Sequence, residues 1–371
     1  MNPSAVVSSC ISEIIIIFEQ LIFLSFASGT TLRIIISYNL RNLSDSMKIY
    51  KIGIIGCGHI AEKMAKTLNS MPDVESYAVA SRSRQKADEF ASKWHFSKAY
   101  GSYEALADDP GVDLIYIATP HAFHFEQAMM CISKGKPVLC EKSFTANASQ
   151  AEKLIEYAHN RGVFITEAIW TRYLPFSRTI CDLVASGIIG KPATLLTSLS
   201  YPVAHKERVM RPELAGGALL DLGVYCLNFA AMVFGTDIVS THSICRKTDT
   251  GVDAQESITL FYRDGKMATI QSSIYARCDR QGIISGDKGH VIVDNINCPL
   301  SAKVYGPDYK LIAEYHAPEQ ITGFEYQVRA SIQAIENGAL ESPFMPHSET
   351  LRIMHQMDEL RRSWGVIFPC D

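Results

Sequence analysis

No two of the ten cysteines are spaced as C-x-x-C, and no cysteine–histidine cluster has zinc-ligand spacing. That excludes a disulfide framework and a structural metal, and it argues for reduced thiols in a cytoplasmic protein. Long basic runs are also missing. With a net charge of −4, the chain lacks the electrostatic footprint of a nucleic-acid binder. Neither an internal repeat nor a low-complexity linker is found. The apolar stretch at residues 11–27 has no Lys or Arg before it, which removes the n-region of a signal peptide. Glu13, Glu19 and Gln20 interrupt the stretch, which makes a membrane span costly. Residues 1–46 are therefore expected to be translated upstream sequence or a misplaced start, with a membrane anchor or a targeting segment as alternatives. Met47 begins a natural domain start, and a membrane is not an expected partner unless the extension is real.

What is present describes an ordinary globular protein: 47% hydrophobic and 20% charged residues in a chain of 371, long enough for two domains. The organising stretch is residues 51–61, K-I-G-I-I-G-C-G-H-I-A. A short apolar run reads as a buried strand, and Gly56 and Gly58 allow a tight turn and close approach of a pyrophosphate. His59, Ile60 and Ala61 open a helix, whose free N–H groups favour phosphate. A dinucleotide site is expected here, against the plainer reading of a glycine-rich βα loop.

In an NAD site, an acidic residue about 20 residues past the turn would bond the ribose 2′-OH. No acid is present at that point. The second strand exits through Ser81, Arg82 and Ser83. A guanidinium and hydroxyls suit a 2′-phosphate, which a carboxylate would repel. NADP is favoured over NAD, the alternative being that Arg82 is a solvated loop charge.

Strand and helix then alternate to residue 168. An apolar run at 113–119 ends in Thr119-Pro120-His121-Ala122-Phe123-His124, and a shorter one at 138–140 ends in Glu141-Lys142-Ser143. That grammar predicts a doubly wound parallel sheet, a Rossmann-type domain over residues 47–168. From 169 to 371 alternating runs with short turns predict an α+β domain with an open, mostly antiparallel sheet. A helix over 216–234 lies between its strands, and two late helices follow at 324–337 and 348–364. The last of these is a candidate for packing back on the first domain.

Ligands of open α/β sheets bind beyond the carboxyl ends of the strands. His121, His124 and Lys142 belong to that edge. Asp221 and Tyr225, four apart, share one face of the helix opposite. A lone helical tyrosine is usually core, but oxidising an alcohol requires a base, and an adjacent ammonium favours a phenolate. Lys142 is suited to that role, or to tethering the cofactor ribose, or to pairing with Glu141.

The ordered set G-C-G-H-I-A, A-S-R-S, A-T-P-H-A-F-H, C-E-K, T-E-A-I-W-T-R and G-G-A-L-L-D-L-G-V-Y-C resembles the glucose-fructose oxidoreductase and inositol dehydrogenase family. Within it the similarity is to the dihydrodiol dehydrogenase branch, which carries tyrosine where most members carry histidine. The resemblance covers residues from 48 to the end. It implies an NADP-dependent oxidoreductase moving hydride from a CH–OH group of an aldose such as D-xylose, or of a cyclic trans-dihydrodiol. It implies Tyr225 as base with Lys142 as its proton-transfer partner, and Asp221 holding substrate or orienting the pair. By the same resemblance Thr119, Pro120, His121, His124, Glu141, Trp170 and Arg172 stand near the cofactor and substrate cleft, with packing as the alternative for Trp170, and the chain is a homodimer or higher homo-oligomer. One departure concerns Lys142: the family's E-K-P is E-K-S here, so holding the ammonium falls to the surroundings of Ser143. A cofactor-binding regulator or scaffold without turnover is the alternative. Substrate choice depends on loops such as 203–212.

Overall fold

The computed structural model describes residues 48–371; the reading of residues 1–46 as an extension that the fold does not need lies outside them. From Tyr50 onward six short strands form one sheet: Tyr50–Ile55 (β1), Val74–Ala80 (β2), Lys98–Tyr100 (β3), Leu114–Ile117 (β4), Val138–Glu141 (β5) and Ile165–Ala168 (β6). Their order is β3-β2-β1-β4-β5-β6, and all neighbours run parallel. This is the doubly wound arrangement, with the reversal of strand order between β1 and β4. The helices between are His59–Leu68 (α1), Arg84–Trp94 (α2), Tyr103–Ala107 (α3), His124–Ser133 (α4) and Ala148–Arg161 (α5).

The period of two along each strand explains why the central runs are apolar throughout. Ile52, Ile54, Leu114 and Tyr116 pack with Met64 of α1 and Phe90 of α2. Ile55, Ile115 and Ile117 face the opposite layer, with Leu106 of α3, Ala128 of α4 and Leu154 of α5. Local chemistry starts the helices: Ser83, Ser102 and Asn147 accept from Lys86, Ala105 and Gln150 N–H groups respectively.

Beyond β6 follow Pro175–Ala185 (α6), Pro192–Ser200 (β7) and Glu207–Met210 (α7). A π-helical turn, Leu219–Gly223, then runs straight into Val224–Phe234 (α8). The helix predicted from residue 216 starts at 219 because Gly217 has φ +116°, and a Cβ there would lie 2.2 Å from Asp253 Oδ1. By length and composition Pro212–Phe234 is apolar enough to cross a membrane, but 83% of that window is buried inside the protein. It is hydrophobic all round because protein surrounds it.

Seven more strands complete a second sheet: Ile238–Lys247 (β8), Asp253–Tyr262 (β9), Met267–Ser273 (β10), Gly282–Gly286 (β11), Gly289–Val293 (β12), Ser301–Tyr305 (β13) and Leu311–His316 (β14). The order is β14-β13-β12-β11-β7-β10-β9-β8, antiparallel throughout except where β7 meets β10. That parallel pair needs a crossover, which α8 and the β8–β9 hairpin supply. Strand β11 escapes a sequence reading because five residues flanked by glycines carry no alternation. Its ladders to β7 and β12 hold it, and a Cβ at Gly282 would come within 2.6 Å of Phe229.

Two helices end the chain, Glu325–Glu336 (α9) and His347–Trp364 (α10). Val328 of α9 joins the cluster around Met64, and Arg329 grips Asp73 with two bonds of 2.9 and 3.1 Å. On the other face of the sheet, Asp358 of α10 accepts from the Ala148 N–H at the start of α5, at 2.8 Å.

Candidate active site

The strand ends β4 and β5 and the π-helical turn border one cleft of about 670 Å³. Of the residues singled out in the sequence, Gly58, His59, Ile60, Thr119, Pro120 and His121 line it, as do Glu141, Lys142, Asp221 and Tyr225. Gly56 and Ala61 lie beneath as parts of the turn. Gly56 has φ +104°, and a Cβ on it would press within 2.9 Å of the Ala118 carbonyl oxygen. A Cβ on Gly58 would meet nothing within 4 Å. That open space sits at the start of α1, where no side chain caps the free N–H groups, so the residues present fit a pyrophosphate. At the end of β2, Ser81 accepts from the Ser83 N–H, and Arg82 is exposed with its guanidinium 5.9 Å from the Phe123 ring. No carboxylate stands at that exit, which fits a 2′-phosphate.

Across the cleft, the Lys142 ammonium donates to the Asp221 main-chain oxygen at 2.6 Å and to Asp221 Oδ1 at 3.2 Å. The same carboxylate takes both arms of Arg208, at 2.8 and 3.2 Å. Burial would raise the Asp221 pKa, but Lys142 and Arg208 hold it far below the usual carboxylate range. Two cations and one anion leave a net positive charge beside Tyr225. The Lys142 ammonium stands 5.1 Å from the centre of the Tyr225 ring. The ammonium is bonded to Asp221 and lies over the phenol face. Burial first, then Glu141 and Asp221, push the Tyr225 pKa well above 10, whereas Trp170 acts on its hydroxyl in the opposite direction. In this state Tyr225 carries its proton.

Glu141 is buried, receives the Tyr116 hydroxyl on one oxygen and accepts from the Lys142 N–H on the other at 3.2 Å. Burial pushes its pKa up to about 7, against the opposing pull of Tyr116 and Lys142. The unfolded chain titrates near 4.5, so between the two values the folded state holds a proton that the unfolded state has lost. The stability this gives is complete at acid pH and disappears as pH rises through about 7. Glu141→Gln is expected to remove about 3 kcal/mol of the loss in urea-measured stability between about pH 5 and about pH 8; an unchanged slope would show that Glu141 does not titrate there.

His121 lines the cleft as a neutral ring: burial, then Lys142, push its pKa down to about 3, and its Nδ1 bonds the Ala215 carbonyl at 3.1 Å. Two of the expected cleft residues, His124 and Arg172, bond elsewhere. His124 is fully buried, with Nδ1 2.9 Å from the Ser143 carbonyl oxygen and Nε2 2.8 Å from that of Thr119; burial disfavours the charged ring, so one nitrogen donates at a time. Arg172 gives its guanidinium to Asn228 at 2.6 Å and to Glu349 at 2.7 Å, tying α8 to α10. Trp170 packs on Phe324 with ring centres 4.6 Å apart and still reaches the Tyr225 hydroxyl. Sequence reasoning missed Lys63, Tyr201, Lys206, Arg208 and Asn297, all in the cleft wall. The one available signal was that Lys206 and Arg208 fall in the 203–212 loop. The Lys142–Ser143 peptide is cis. Among the described residues no group of three or more His, Cys, Asp or Glu is placed to hold a metal.

Comparison with known proteins agrees with this arrangement. Residues 50–168 match the model of an oxidoreductase family with an NAD-binding Rossmann fold, and residues 177–292 match the GFO/IDH/MocA C-terminal domain. The trans-1,2-dihydrobenzene-1,2-diol dehydrogenase of Mus musculus is 34% identical over 332 residues, covering 86% of this chain and 98% of that protein. The Xenopus laevis protein of that name is 35% identical over 330 residues, covering 86% and 99%. Among solved structures, a 3-ketoreductase from Actinomadura kijaniata in complex with NADP and TDP-benzene superposes with a TM-score of 0.78 at 25% identity, covering 85% of this chain and 98% of the other. An aldose-aldose oxidoreductase from Caulobacter crescentus, with a TM-score of 0.77, 20% identity and coverage of 85% and 97%, is alike in fold.

Proposed function

The chain belongs to the GFO/IDH/MocA oxidoreductase family, and from that premise we propose an NADP-dependent oxidoreductase acting on a CH–OH group of a sugar or a cyclic trans-dihydrodiol. The observation that carries the reading is one cleft holding Tyr225, Lys142 and Asp221 opposite the Gly56–Gly58 turn. Leu199, Val203 and Leu222 give the cleft apolar wall, and Asp221, Tyr201 and Asn297 give it polar groups. That mixture suits a small ring bearing hydroxyls.

NADP supplies the hydride acceptor when bound. Gly58 and the α1 terminus would hold its pyrophosphate, and Ser81 with Arg82 its 2′-phosphate. As its phenolate, which the Lys142 ammonium favours, Tyr225 would take the hydroxyl proton and become the neutral phenol as the C–H bond breaks. Asp221, clamped by Arg208, fixes the ammonium where it serves both. An aldose would leave as the lactone, and a dihydrodiol as the ketone, which tautomerises to a catechol. A screen of aldoses and diols by nicotinamide absorbance tests this, and no turnover with either class under either cofactor would overturn it. Arg82→Asp is expected to lower kcat/KM for NADP by about 10²-fold while leaving NAD within about threefold; an unchanged ratio would remove Arg82 from selection.

We assign cofactor binding to residues 47–168 and substrate binding to residues 169–371, in a cytoplasmic protein. The open face of the second sheet exposes Leu196, Ile244 and Phe261. This supports self-association of two copies through that face. Ile244→Lys should shift the sedimentation coefficient to that of a monomer, and a wild-type monomer would refute the assignment.

A further inference from the structure

The residue that departs from the family motif makes one hydrogen bond that a proline cannot. Ser143 is fully buried, and its hydroxyl donates to the Leu220 carbonyl at 2.9 Å. Its neighbour Lys142 donates to the Asp221 carbonyl at 2.6 Å. Two consecutive residues beyond β5 thus hold two consecutive carbonyls of the π-helical turn that leads into Tyr225. The Ser143 carbonyl is itself fixed by His124, whose other nitrogen reaches Thr119 at the end of β4. The Phe144 N–H donates to Glu167 at 3.1 Å, which anchors the chain on its far side.

We infer that Ser143 is a positioning residue for the proposed reaction: its hydroxyl locks the π-helical turn to the Lys142 loop, so that Asp221 and Tyr225 are presented to the ammonium at a fixed separation. The inference rests on the functional reading above. π-helical turns lack the regular i to i−4 ladder, so an outside donor to one of their carbonyls is a direct constraint on their shape. Near-attack geometry is sensitive at the ångström scale, and a misplacement of that size lowers rate by about 10²-fold.

The test compares Ser143→Ala, Ser143→Pro and Ser143→Thr in the full chain. Ala and Pro lack the hydroxyl, Pro being the family's own residue; Thr keeps it. Ser143→Ala and Ser143→Pro are expected to lower kcat by roughly 10- to 100-fold, with NADPH dissociation constants within about twofold of wild type, and Ser143→Thr to recover at least half of the lost rate. Crystal structures of the Ala and Pro variants should show the turn displaced from Lys142. Wild-type kcat in both, or an undisplaced turn in both, overturns the inference. A variant that also loses NADPH binding reports general damage and counts against a specific positioning role. Should wild-type protein turn over no sugar or diol, the functional reading falls while the structural comparison still decides what Ser143 holds.

Discussion

Replacing Tyr225 by phenylalanine is expected to lower kcat by about 10²- to 10⁴-fold while leaving NADPH bound as tightly as in wild type, because the change removes one oxygen and keeps the ring. The ring packs against apolar neighbours in a buried position, so the fold has little reason to respond. The hydroxyl is the group that would accept the substrate proton. The pH profile should separate this loss from a mere loss of packing: wild-type kcat/KM in the oxidative direction rises with pH as the phenol ionises, whereas Tyr225→Phe should retain a flat remnant. Calorimetry with NADPH and steady-state rates with the best substrate of the screen check both halves. A variant that keeps its pH-dependent limb, or a kcat within about threefold of wild type, would assign the proton transfer to another group.

The features legible in the chain were those set by local sequence. The Gly56–Gly58 turn must bend at φ +104° and leave space over a helix start, and both demands fall on residues a few positions apart. Lys142 and Tyr225 stood out because a strand end and a helix face put them on the ligand side of the sheet. Arg208 did not, because α7 is a four-residue helix inside a loop, and nothing local says that its guanidinium folds back onto Asp221. For the same reason the sequence could not show what Arg172 and His124 bond. The residue types fit a cleft, but Asn228 and Glu349 claim one side chain and two backbone carbonyls the other. Their partners Ser143, Asn228 and Glu349 stand 19, 56 and 177 positions away, separations that only the tertiary fold closes. Strand β11 stayed hidden for a related reason, since its structure comes from ladders on both sides.

Lys142→Met is the complementary test, and its expected effect is about 10²- to 10³-fold on kcat. A unit charge 5.1 Å from the phenol ring centre contributes about 3 kcal/mol at an effective dielectric of about 20, which is about a hundredfold in the ionisation of Tyr225. Removing it takes the cluster of Lys142, Arg208 and Asp221 from net positive to neutral, so the phenolate loses its nearest compensation. The pH dependence carries the sign: the rising limb of kcat/KM should move to higher pH in Lys142→Met, whereas Tyr225→Phe should lose the limb. Arg208 still satisfies both Asp221 oxygens in the variant, so no buried carboxylate is stranded and the fold should hold. Lys142→Arg is expected to restore the position of the limb more than the rate, because it returns charge without returning the single-point bond to the Asp221 carbonyl. A Lys142→Met enzyme whose limb stays at the wild-type pH would mean that the ammonium holds Asp221 and the cofactor alone, and that the tyrosine is tuned by the nicotinamide side of the cleft.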